Sequence, residues 1–273
     1  MTPFLFHGDD GRDGSALVAD IDGSGRPLVL LHAGGPDRHS LRPLARLLAD
    51  RATVILPDVR GYGASVCADP ALHTWDQYTR DLLALLDALG HPRAVLGGAG
   101  LGSTIALRTA LRVPDRVDAA ILLGVEDIEE DAAAKAAEIA FLDAFAARAA
   151  ADGLEAAWDP ILEGFPPVVG AMVRDAIPRS DRASVVAAAS IAHDRSFGSV
   201  AELAGVTVPV LVFPGTDARH PRALAERCAR TIPRATLAPV SISNRLKTAE
   251  DLAAATAPAI RDFLAALPET HPS

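Results

Sequence analysis

Asp217 and His220 lie three residues apart in Gly215-Thr-Asp-Ala-Arg-His-Pro221. At that separation the ring can come within reach of the carboxylate, giving a carboxylate–imidazole pair of the kind used in proton transfer. The alternative is a structural histidine at a helix start. Glu126 and Asp127 follow the apolar run Ala119-Ala-Ile-Leu-Leu123 and Gly124. A carboxylate just past a strand could orient a base or activate water. The competing picture is a solvated acidic stretch, because Glu129, Glu130 and Asp131 come next. That picture is preferred for Asp127; Glu126 stands between the two. His193, in His193-Asp-Arg-Ser196, could reach a pocket from above or serve in an anchoring salt bridge. Cys67 has no base and no electropositive setting beside it, so it is read as packing.

These side chains need a scaffold, and hydrophobic periodicity outlines one. Strands are expected at Pro27–Leu31, Thr53–Leu56, Arg93–Leu96, Ala119–Leu123, Val208–Phe213 and about Ala235–Val240. Helices are expected at about Ser40–Asp50, after Thr74, at Ser103–Arg112, and from near Thr248 to Leu267, with a kink at Pro258. Thr74 and Gln77 carry the signature of a capping box. Tyr78, Leu82, Leu85, Leu86 and Leu89 then share one helical face, and Gly90 supplies the stop. Asp251 is the expected capping partner at the last helix.

This alternation predicts an α/β protein with a mostly parallel central sheet flanked by helices. Val125 to about Leu203 reads as helices only, with Ile139, Leu142 and Phe145 on one stripe. Such an insertion would sit as a helical lid over the C-terminal edge of the sheet, where open α/β sheets bind ligands. The expected division is a core of residues 1–124 and 204–267, a lid at 125–203, and a flexible tail at 268–273.

A chain of 273 residues suits one domain with an insertion. Its net charge of −9 gives no attraction to nucleic acid or anionic membranes, so neither is an expected partner. No secretory signal or membrane-spanning run is visible. Two distant cysteines and no clustered ligands point to a reduced, cytoplasmic protein with no metal and no cofactor. Gly97-Gly-Ala-Gly-Leu-Gly102 is not read as dinucleotide-binding, because no acidic residue ends the following strand near Ala120 to Leu123. Nothing in the sequence specifies an oligomeric state.

Four motifs in order carry a resemblance. They are His32-Ala-Gly-Gly35 after a strand, Pro57-Asp-Val-Arg-Gly-Tyr-Gly63, Gly98-Ala-Gly-Leu-Gly102 between strand and helix, and Gly215-Thr-Asp217 after Val208-Pro-Val-Leu-Val. Together they resemble the α/β-hydrolase superfamily over almost the whole chain. The resemblance implies an oxyanion loop at His32, Ala33 and Gly34, with Leu101 as the further N–H donor. For His32 the preferred reading is that it only shapes that loop. Asp37 and His39, in the same loop, could face the pocket or begin a helix. The family's nucleophile position falls on Gly100, which has no side chain, while the small residues its sharp elbow needs are present. Ser103 and Thr104 lie a turn further along and are read as structural. The loop expected to hold the family's histidine is Ser241-Ile-Ser-Asn-Arg-Leu-Lys247, with Ser243 or Asn244 near the position. Neither is a general base near neutral pH. Asp217 keeps the acid position.

The resemblance therefore implies a family member with a degenerate triad that binds a small organic molecule. The reading leans toward an enzyme without a serine nucleophile, working by water activation or proton transfer as a hydrolase, lyase or cyclase. Asp217, Glu126 and His220 would carry the chemistry around the vacated Gly100. His32, Ala33, Gly34, Leu101 and His193 would bind the substrate or its oxyanion. The alternative is an inactive homologue that serves as a ligand-binding or interaction protein.

Overall fold

Leu28, Val29 and Leu30 are all fully buried, which a strand permits only when both faces of its sheet are covered. Alternation then splits their contacts. Val29 and Leu31 pack on one face with Leu82 and Leu85, Ile105 and Cys228. Leu28 and Leu30 pack on the other with Leu44, Leu48, Leu252 and Ile260. The result is a sheet between two helical layers, in a computed structural model that describes residues 1–8 and 14–268. Beyond Pro268, the tail read as flexible lies outside the described residues.

The strands are β1 (Thr2–His7), β2 (Ala16–Gly23), β3 (Arg26–Leu31), β4 (Ala52–Pro57), β5 (Ala94–Ala99), β6 (Val117–Leu123), β7 (Val210–Phe213) and β8 (Ala235–Leu237). They form one eight-stranded sheet in the order β1-β2-β4-β3-β5-β6-β7-β8. β1 pairs with β2, and β2 with β4, antiparallel; every other pairing is parallel. Helices α1 (Arg42–Leu48) and α9 (Ala249–Ala266) pack together on one face. Helices α2 (Trp75–Ala88), α3 (Leu101–Arg112) and α8 (Arg222–Thr231) cover the other. Between β6 and β7 come α4 (Ala132–Asp152), α5 (Leu154–Leu162), α6 (Pro167–Ala176) and α7 (Arg182–Ala188). No helix among the described residues is long and apolar enough to cross a membrane.

The helix starts follow their caps. The Thr248–Asp251 box closes reciprocally on α9. At α2 only half of the expected box forms. Thr74 accepts from the Gln77 N–H at 3.1 Å, but the Gln77 amide turns away and donates to Asp81 at 3.0 Å. Asp81 draws it there because it is already the partner of Arg60, whose side chain is fully buried. The Arg60 fork donates to both Asp81 oxygens, at 2.7 and 2.6 Å, and so ties the loop after β4 to α2. Asp81→Ala removes both of these charge-assisted hydrogen bonds from a buried guanidinium and the acceptor of the Gln77 amide. The variant is expected to lose about 3–5 kcal/mol of stability in urea unfolding, and a loss under 1 kcal/mol would show the pair to be dispensable.

Candidate active site

β5 carries the chain to the C-terminal edge of the sheet and α3 carries it away. Between them stands a single residue, Gly100, at φ 50° and ψ −117°. L side chains rarely adopt that conformation, so the turn stores strain if any other residue occupies it. A Cβ at Gly100 would lie 2.5 Å from Glu126 Oε1, 3.3 Å from His220 Nε2 and 3.4 Å from Ala33 Cβ. The space a side chain would take is thus already filled by a carboxylate from another loop.

Glu126 reaches this place because β6 ends at Leu123 and the chain then folds back over α3. The Thr104 hydroxyl donates to the Glu126 carbonyl at 3.1 Å and fixes the turn, in keeping with a structural role for Thr104. Ser103 likewise serves the backbone, donating to Gly98 O at 2.7 Å. The two carboxylate oxygens of Glu126 differ. Oε2 accepts from Arg219 Nε at 2.6 Å and lies 3.3 Å from His220 Nε2. Oε1 points at Gly100 and accepts no hydrogen bond from the described residues.

Asp217 follows β7 in a tight loop. Its Oδ1 accepts the backbone N–H groups of Arg219 and His220, each at 2.9 Å, and contacts His220 Nδ1 at 3.0 Å. The loop closes so tightly over Gly215 that a Cβ there would meet the His220 carbonyl at 2.4 Å. Asp217, His220 and Glu126 therefore form a continuous carboxylate–imidazole–carboxylate line ending above Gly100. Burial works against the His220 imidazolium, but Glu126 and Asp217 outweigh it and push its pKa up to about 10. Burial would raise Glu126, but Arg219 and His220 hold it down at about 2. The resting pair is an imidazolium beside a carboxylate.

A largely apolar cavity of about 120 Å³ opens on this line. Ala33, Gly34 and Leu101, the candidate oxyanion donors, are among the residues that line it. Leu101 begins α3, so its N–H has no intrahelical acceptor. Phe141, Phe145, Trp158, Phe165 and Met172, all from the segment between β6 and β7, supply much of the apolar wall. From the loop after β8 comes Ile242, while Ser243 and Asn244 do not line the cavity.

Two expected binding residues are corrected. His32 is fully buried and faces away from the cavity. Its Nε2 accepts the Val59 N–H at 2.9 Å and its Nδ1 donates to Ala33 O at 2.7 Å, so both nitrogens are spent on shaping loops. Burial lowers its pKa and keeps it neutral, outweighing the Asp58 charge. His193 sits on an exposed turn, paired with Asp143 at 2.8 Å, and lines no part of the cavity. Asp37 likewise stays out of it. It caps the turn that starts at Arg38 and is gripped by Arg179 at 2.6 Å.

Three residues were missed or misread. Asp127 is no solvated acid: it lines the cavity at φ 62°. Burial, with Glu126 beside it, pushes its pKa well above the carboxylate range. Arg219 holds Glu126, Asp127 and Glu138 of α4 together. The third, Tyr62, presents its side chain to the cavity from the loop after β4. Its place in Pro57-Asp-Val-Arg-Gly-Tyr-Gly63, one of the four motifs, was the available signal.

Comparison with known proteins agrees with this architecture. A family model described as the alpha/beta hydrolase fold matches residues 26–185. An epoxide hydrolase of Caballeronia sordidicola is 39% identical over 120 residues, which is 43% of this chain and 36% of that protein. The chain thus spans about a third of the length of that curated relative. A thermophilic esterase of Thermogutta terrifontis superposes with a TM-score of 0.81 at 26% identity, covering 97% of this chain and 98% of that one. The enol-lactonase of Burkholderia xenovorans LB400 gives a TM-score of 0.76 at 25% identity, covering 93% and 98%.

Proposed function

The chain belongs to the α/β-hydrolase fold family, and from that premise we propose that it is an enzyme with a degenerate triad, hydrolysing a small apolar ester or lactone without a covalent intermediate. One observation carries this reading. Glu126 Oε1 occupies the space above Gly100, with His220 bridging it to Asp217. Water bonds to the acyl carbon and gives its proton to Glu126. The carbonyl electrons move onto oxygen, facing the Leu101 N–H and the Ala33–Gly34 loop. Collapse expels the alkoxide, which takes the proton of the His220 imidazolium. Glu126 then passes its proton to His220, its neighbour at 3.3 Å, and both groups are restored.

A carboxylate held down near 2 is a weak base. It serves substrates whose carbonyl is already activated, such as aryl esters, enol esters and strained lactones. The relatives support this choice, since an esterase and an enol-lactonase share the fold at 25–26% identity. The apolar wall of Phe141, Phe145 and Trp158 favours the second reading, a catalytically inactive ligand-binding protein.

The test is a panel of aryl esters and lactones followed by rapid-mixing kinetics and intact-protein mass spectrometry. The expected result is turnover with no burst and no acyl adduct. A covalent adduct would overturn the mechanism. Tight binding with no turnover across the panel would favour the inactive homologue. The kcat/KM profile is also expected to stay level through pH 6 to 7, because His220 works as an imidazolium held up to about 10. A serine-type triad, which needs neutral imidazole, would lose activity as pH falls through that range.

A further inference from the structure

We propose that Tyr62 donates a hydrogen bond to the substrate's carbonyl oxygen, adding a side-chain donor to the backbone N–H groups of the oxyanion site. This rests on the ester or lactone reading above. Tyr62 is about nine-tenths buried and its ring meets the His32 ring edge-on, with centroids 5.4 Å apart. Packing therefore fixes where the hydroxyl points. That hydroxyl makes no hydrogen bond with the described residues, and the side chain lines the cavity. It lies 3.6 Å from where a Gly34 Cβ would be, so it stands beside the backbone already assigned to the developing oxyanion.

The Tyr62 hydroxyl opens onto the cavity and is not sealed in the core, and packing alone would be served equally well by phenylalanine. Burial, with Glu126 and Asp127 nearby, raises its pKa, so it keeps its proton. A neutral O–H against the loop of Gly34 is a donor awaiting an acceptor. The ligand that satisfies it is an apolar molecule with a carbonyl at its buried end. Glu126 Oε1, beside Gly100, handles the water. The two roles are separate, since Tyr62 binds oxygen and gives up no proton.

The experiment uses acetophenone, labelled with carbon-13 at the carbonyl, as a non-reacting probe. Its infrared carbonyl band is read when bound to the wild type, to Tyr62→Phe, and to protein carrying 3,5-difluorotyrosine at position 62. The expected band in the wild type is shifted to low frequency. In Tyr62→Phe it moves back toward its hydrocarbon value, and in the difluorotyrosine protein, a stronger donor, it moves lower still. On the ester panel, Tyr62→Phe is expected to lose about 10²-fold in kcat with little change in KM. An unchanged band overturns the proposal, as does failure of the ketone to bind the wild-type cavity. If Glu126→Gln abolishes turnover while Tyr62→Phe changes nothing, this inference fails and the proposed function stands.

Discussion

Glu126→Gln should lower kcat on activated esters by about 10²- to 10⁴-fold, the range expected for loss of a general base. The amide keeps the shape of the carboxylate and a carbonyl oxygen for Arg219, so the fold is expected to survive. What it loses is charge, and the loss has a second consequence. Glu126 is the largest influence holding the proton on His220 against burial. Without it the imidazolium becomes acidic, and the alkaline limb of kcat/KM moves to lower pH. Stability follows the same sign. In the wild type the native state keeps the His220 proton between 6.5 and about 10, while the unfolded chain releases it. That contribution is complete below 6.5 and disappears as pH rises through 10. The melting temperature should therefore fall across this interval in the wild type and fall less in Glu126→Gln. Nitrogen-15 shifts of the His220 ring give the protonation state directly. An unaltered kcat in the variant would remove Glu126 from the mechanism.

Much of this arrangement was legible in the residues, and what was hidden has identifiable causes. The order of glycine-bearing loops after strands located Gly100, Asp217 and the Ala33–Gly34 loop. The absence of histidine between Ser241 and Lys247 was also plain. The three-residue spacing signalled that His220 could pair with Asp217; what only the structure adds is how tightly the loop closes over Gly215 to deliver the ring beside Gly100. In sequence Asp127 reads with the solvated run that ends at Asp131, and Glu126 stands between two readings, because charge density in sequence says nothing about direction. Here the chain turns at Gly124 and at Asp127, both at positive φ, and tucks the first two carboxylates inward. β1 and β2 went unnoticed because they lie toward one edge of the sheet, where β1 buries little beyond Phe6. Of the two readings open for His32 and for His193, the structural one holds in each case, and for a common reason. A histidine's chemistry depends on what its nitrogens already hold, and here they hold backbone groups or Asp143.

Gly100→Ser separates this site from an ordinary serine hydrolase that has merely lost its nucleophile. If nothing had moved into the vacancy, the hydroxyl would restore activity. Instead the new Cβ would sit 2.5 Å from Glu126 Oε1. The carboxylate must swing away, and Arg219 and His220 lose their alignment with it. The backbone also resists, since φ 50° with ψ −117° costs a side-chain-bearing residue about 1–3 kcal/mol. The single variant is therefore expected to lose at least about 10²-fold in kcat, comparable to removing the base itself, and to melt at lower temperature. Gly100→Ser combined with Glu126→Ala should behave differently. Removing the carboxylate clears the space and lowers the His220 pKa, leaving a neutral ring near the hydroxyl and backed by Asp217 at 3.0 Å. Aryl esters should then give an acyl-enzyme burst that neither single variant shows, a departure from additivity expected of residues competing for one position. A burst in Gly100→Ser alone, with activity above the wild type, would mean that Glu126 yields the space freely and does not carry the reaction.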